Sequence, residues 1–141
     1  MLDNEKHFGK NRTKPHVLFI TEEEILGSYY CAHNMWGSLD AAGLATYERF
    51  HHDTFFKHHG YSGDSELLLR CRLKKPDLIV FRTYIFDGIY GPTPQTILTL
   101  HRTLRIPLVF VWHDSDLCPA QFILQLAQQG IMSIKIGRAH V

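Results

Sequence analysis

The residues best suited to chemistry stand where apolar segments stop. IPLVFVW (106–112) runs directly into His113-Asp114-Ser115-Asp116. An imidazole titrates near neutral pH and can donate a hydrogen bond to a ligand oxygen. A carboxylate beside it can orient the ring or take a proton from a hydroxyl. His113 and Asp114 are therefore the candidate catalytic pair, and their structural alternatives are a strand-end cap and a helix cap. Asp116, three residues before Pro119, reads first as a helix N-cap and second as a ligand contact.

Two other apolar runs end in the same way. HVLFIT (16–21) is followed by Gly27-Ser28-Tyr29-Tyr30, and DLIVF (77–81) by Arg82-Thr83-Tyr84. Gly27 and Ser28 would let backbone N–H groups approach an anion at a helix start, although a plain loop-to-helix transition explains them nearly as well. Of Tyr29 and Tyr30, one is expected in the core and the other is free to stack on a ligand ring. Arg82, where a buried strand meets solvent, suits a phosphate or carboxylate. The histidines at 51, 52, 58 and 59 form two adjacent pairs flanking DTFFK. Adjacent strand residues point to opposite faces, so a solvated surface loop is expected there, with neither a metal nor a cofactor.

The elements that must position these residues alternate. HVLFIT has strand length and composition. Thr21-Glu22-Glu23-Glu24 matches a capping box, followed at helical spacing by Ile25, Tyr29, Ala32, Trp36 and Leu39, so a helix starts at Glu22 or after Gly27-Ser28 and ends at Gly43. Leu44 to His52 reads as a second strand. Ser62 or Asp64 caps a helix that Pro76 stops, and DLIVF is the third strand. A helix over about 95–104 leads to strand four (107–112). Pro119 opens a helix to Gln129, stopped by Gly130, and IMSIKI (131–136) is a fifth strand. Continuous apolar strands between helices imply a parallel sheet covered on both faces, a Rossmann-like doubly wound α/β domain. The expected strand order is 3-2-1-4 with 16–21 central. Its carboxyl edge would gather the polar strand ends, because ligands of open parallel sheets bind there, where strand order reverses.

Bulk properties narrow the function. The chain has 141 residues, 45% of them hydrophobic, and 15 basic against 14 acidic side chains. That is one globular domain without the basic footprint of a nucleic-acid binder. Cys31, Cys71 and Cys118 are widely spaced with no CxxC pair, which reads as reduced thiols in a cytoplasmic protein. Residues 1–14 are a polar arm with no apolar signal region. No apolar run approaches the roughly 20 residues of a membrane span.

The final IGRAHV (136–141) fits nothing upstream. It is the translation of ATC GGA AGA GCA CAC GTC, a stretch of a common sequencing-library adapter. Residues 136–141 are therefore expected to be adapter read-through with little contact to the core. The natural chain would continue past the domain at 15–135. The alternative is a genuine basic C-terminus.

HVLFIT, a GSYY turn opening a helix that ends in DAAG, then KKPDLIVFRTY, then a helix leading into RIPLVFVWHDSD together resemble the N-terminal domain of GT-B glycosyltransferases. The likeness is to the group 1 (family 4-like) enzymes and the related spore-maturation-type ones, and it covers about residues 15–134. The resemblance implies an acceptor-binding half of a hexosyltransferase-like enzyme. The nucleotide-sugar donor would sit on a second, similar domain absent from this chain, and the acceptor would be a glycan or other small molecule. It also implies that His113 faces the cleft between the halves. The sequence departs from the family in carrying Cys31 where an arginine often follows the tyrosine pair, and in lacking a GGxxE-like loop after strand one. Without the donor half, this fragment is expected to be inactive alone.

The competing class is a stand-alone flavodoxin-like regulatory or ligand-binding domain without enzymatic activity. A phosphoreceiver needs an aspartate at the end of strand three, where Phe81-Arg82 stands. A cobalamin binder would show DxHxxG where this chain has TEEEILG, and a dinucleotide-binding oxidoreductase needs the GxGxxG that is missing here.

Overall fold

The structure, a computed structural model, describes residues 13–21, 37–82, 92–112, 128, 130 and 132–135. The strands are β1 (His16–Thr21), β2 (Thr46–His51), β3 (Leu78–Arg82), β4 (Leu108–Trp112) and β5 (Met132–Lys135). They form one parallel sheet in the order β2-β1-β3-β4-β5. The helices are α1 (Ser38–Ala41), α2 (His52–His59), α3 (Asp64–Lys74) and α4 (Pro94–Leu98), the last continuing as a π-helical turn over Thr99–Thr103. The architecture is the expected α/β one, a parallel sheet with helices between its strands.

The expected order 3-2-1-4 is overturned. It set DLIVF at an edge, whereas β3 lies inside the sheet between β1 and β4. The reason is burial. Ile79, Val80 and Phe81 are all essentially inaccessible, and only an interior strand with both faces covered can hide a continuous apolar run. The edge falls instead to β2, TYERFH, in which only Phe50 is fully buried. β1 remains interior, bonded to β2 on one side and β3 on the other.

Strand side chains alternate between two cores. Leu18, Ile20, Ile79, Phe81, Leu108 and Phe110 pack on one face with Leu67 and Cys71 of α3 and with Ile97 and Leu100 of α4 and the π turn. Val17, Phe19 and Val80 pack on the other face, where Leu39 of α1 joins them. The Phe81 and Phe110 rings stack at 4.5 Å with 5° between planes. Such a pair contributes about 1 kcal/mol beyond its buried area.

Several boundaries differ from the sequence reading. The second strand starts at Thr46, not Leu44, whose side chain is exposed and whose N–H instead closes α1 onto Leu39 O. The expected histidine-rich loop is the helix α2. Gly60 ends it at φ 76°, its N–H bonding Phe56 O at 2.7 Å, and Phe55 packs its ring on those of His59 and Tyr61. Gly63 then starts α3 in a space no larger side chain would fit. A Cβ there would lie 2.7 Å from the Phe50 ring. The helix expected over 95–104 starts at Pro94 behind the Thr93 cap and widens to π geometry at Thr99. Gly43 ends α1 at φ 73° as expected. The rest of the helix placed between β1 and Gly43, most of the helix after Pro119, and the tail 136–141 lie outside the described residues. Among the described residues no helix is long and apolar enough to cross a membrane.

Candidate functional site at the carboxyl edge

Three strand ends lie side by side in register. Thr21 of β1 pairs with His51 of β2 on one side and with Arg82 of β3 on the other. β4 lies next to β3 and ends at Trp112, immediately before His113. In a 2-1-3-4-5 sheet the strand order reverses between β1 and β3, and the carboxyl ends flanking that point are where such sheets bind ligands. The structure therefore places Arg82 at the switch point, on its β3 side, opposite Thr21.

Arg82 is placed by its backbone; its side chain lies outside the described atoms. Gly27, Ser28, Tyr29 and Tyr30, which follow β1, lie outside the described residues, as do His113, Asp114 and Asp116, which follow β4. The segments carrying them leave β1 and β4 at the same edge that holds Arg82.

The same edge also holds buried polar residues. Thr21 is wholly buried, and His52, the first residue of α2, is 1% exposed. That corrects the expectation of a solvated loop for His51 and His52, while His58 and His59 are exposed as expected. A carboxylate clamp stands nearby. Asp64, in the first turn of α3, accepts hydrogen bonds at Oδ2 from the Thr93 backbone N–H and from the buried Thr96 hydroxyl, both at 2.8 Å. Thr93 is the N-cap of α4, its hydroxyl oxygen accepting from the Thr96 N–H at 3.3 Å. An anionic oxygen at a helix start is favoured by the unsatisfied N–H groups and the helix dipole. Asp64 thus supplies that anion from within the chain and ties the start of α4 to the start of α3. The Thr93-Pro94 pair signals a helix start by itself, but nothing local announces a partner 29 residues away.

A second charged cluster lies away from this edge. Glu48 of β2 receives Lys74 Nζ at 2.9 Å, Arg70 Nη1 at 3.6 Å and His16 Nε2 at 3.6 Å. Burial works to raise its pKa, yet the Lys74 hydrogen bond and the charges of Lys74, His16 and Arg70 outweigh that and hold the carboxyl below its ordinary value. Arg70 also sits 5.1 Å over the Phe50 ring and bonds Glu66 one turn back. Cationic side chains surround Glu48, which makes it an anchor of α3 on β2, not a proton acceptor. Cys71 lies buried on the same helix. Burial, and then the negative charge of Glu48, push its thiol up to about 12, so it is no nucleophile at neutral pH. Among the described residues no group of three or more His, Cys, Asp or Glu side chains is arranged to hold a metal ion.

No protein-family model, no curated protein and no solved structure matches this chain.

Proposed function

We propose that the chain forms the acceptor-side half of a glycosyltransferase that moves a sugar from a nucleotide-sugar donor to a small hydroxyl-bearing acceptor, with its cleft at the carboxyl edge of the sheet. The observation that carries this reading is the pairing of Thr21 with Arg82 across the β1–β3 switch point, with the segment His113–Asp116 leaving the next strand at the same edge. In this reading Asp114 takes the proton from the acceptor hydroxyl, and His113 donates a hydrogen bond to the charge that develops on the departing phosphate. Arg82 holds a phosphate or carboxylate, while Gly27, Ser28, Tyr29, Tyr30 and Asp116 shape the acceptor pocket. The donor is held by a second domain.

The test is made on a protein that carries both domains. His113→Ala should lower transfer from a UDP- or GDP-sugar by roughly a hundredfold, the usual scale for a general acid or base, with an unchanged melting temperature. Full activity in a stably folded His113→Ala protein removes the residue from the mechanism. Turnover by residues 1–141 alone removes the two-domain reading, since orientation in a closed cleft is what this chemistry draws on.

A second reading has one observation in its favour. The order β2-β1-β3-β4-β5 is that of flavodoxin-like domains, which suits a stand-alone regulatory or ligand-binding module. The same pairings are also what the Rossmann order 3-2-1-4-5-6 leaves when its outermost strand, beside strand two, is absent. Small-molecule binding at the β1–β3 edge without sugar transfer favours the module.

A further inference from the structure

We propose that a second site, at the amino edge of the sheet, binds an apolar monocarboxylate. A cavity of about 580 Å³ opens there, beside the starts of β3 and β4. That volume falls within the range of small-molecule sites, roughly 300–1,000 Å³. Its floor is apolar, made by Leu78 of β3, Ile106, and Leu108 and Val109 of β4. Among the described residues its polar lining comes from His101 of the π turn and Arg105 of the segment between that turn and β4. No carboxylate is among the described lining residues. An apolar floor with a guanidinium at its margin matches a ligand with an apolar body and one planar anionic group, because the guanidinium fork fits a carboxylate in two parallel hydrogen bonds. A neutral hydrocarbon would leave the arginine unused, and a multiply charged ligand would bury charge against the floor. Gly130 borders the cavity, and a Cβ added there would meet nothing within 4 Å, so that border stays open. This site stands at the opposite end of the strands from the switch point and is independent of the transferase reading.

Arg105 has φ 56°, the left-handed conformation usual for glycine after a helix. Lys75 does the same at φ 45° after α3, so the backbone conformation by itself does not mark a ligand site. It does make Arg105→Gly a mild probe: the charge goes and the backbone is relieved. Arg105→Lys restores a cation at a position whose conformation a lysine already adopts elsewhere in the chain.

The experiment is calorimetric titration of the chain with decanoate and with decanol, together with amide shift mapping. Decanoate should bind saturably at one site, at least tenfold more tightly than decanol, and shift the amides of Leu78, Leu108 and Val109. Arg105→Gly should weaken decanoate binding at least tenfold without lowering the melting temperature, and Arg105→Lys, which restores the charge without the fork, should recover only part of it. No saturable binding at millimolar decanoate overturns the proposal. So do equal affinities for decanoate and decanol, equal decanoate affinities of wild type and Arg105→Gly, or shifts confined to the carboxyl edge.

Discussion

Replacing Asp64 with alanine should destabilise the domain by about 3 kcal/mol. Oδ2 of Asp64 accepts from the Thr93 N–H and the Thr96 hydroxyl, each at 2.8 Å, and hydrogen bonds to a charged acceptor contribute about 1.5–3 kcal/mol apiece. They share one half-buried oxygen, so their sum is taken near the lower end. Alanine would leave the buried Thr96 hydroxyl without this acceptor and remove one of the two acidic residues of the first turn of α3, a further 0.3–1 kcal/mol or so. Asp64→Asn keeps an acceptor oxygen in place and should cost about 1 kcal/mol. The assay is urea unfolding, read as a shift in midpoint at constant slope. In a double-mutant cycle, Asp64→Ala with Thr96→Val should show coupling above about 1 kcal/mol. An Asp64→Ala protein within 0.5 kcal/mol of wild type would refute the clamp, and equal losses for Ala and Asn would show that charge, not acceptor geometry, matters.

Two further outcomes follow from the other buried groups. Because the Glu48 carboxyl is held below its ordinary value by its cations, its ion pairs stabilise the fold above the unfolded carboxylate range, about pH 4.3, and that stabilisation fades as pH falls through the lower folded value. Glu48→Gln should therefore cost on the order of 1 kcal/mol at pH 7, a gap that narrows in urea titrations carried below about pH 4; a constant gap across pH 3–7 would contradict the ion-pair origin. Cys71, buried and raised to about 12, should react with iodoacetamide at pH 8 at least a hundredfold more slowly in the native chain than after unfolding, as peptide mapping would show, and equal rates would place the thiol at the surface.

The sequence was readable wherever burial and local pattern coincide. HVLFIT, DLIVF and PLVFVW are strands because an apolar run of that length fills an interior strand with both faces covered. Gly43 and Pro76 marked helix ends through backbone chemistry alone. What escaped is non-local. HDTFFKHH carries no periodic apolar stripe, and its helix depends on Gly60 and on the packing of Phe55 against Phe50 before the helix, His59 at its end and Tyr61 after it. The Asp64 clamp joins positions 29 and 32 residues apart, which no local pattern encodes. The edge position given to DLIVF came from applying a familiar strand order when the residues themselves argued for the interior.

That change of order matters most for the candidate site. With 3-2-1-4, the switch point would fall between strands one and four, and Arg82, at the far edge, would stand two strands away from it. In the observed order β3 is next to β1, and Arg82 pairs with Thr21 across the switch point. The strand before His113 moves one place outward from β1 and now lies beside the strand that ends in Arg82. The three polar strand ends singled out in the sequence thus belong to the consecutive strands β1, β3 and β4, the arrangement in which loops from one edge have the shortest distance to span. A parallel strand spacing of about 4.8 Å puts the outer two of these ends roughly 10 Å apart, a span that a hexose and the side chains gripping it can fill. Arginine is the one candidate whose strand position is fixed on this edge, and it is therefore the residue on which the cleft reading first stands or falls.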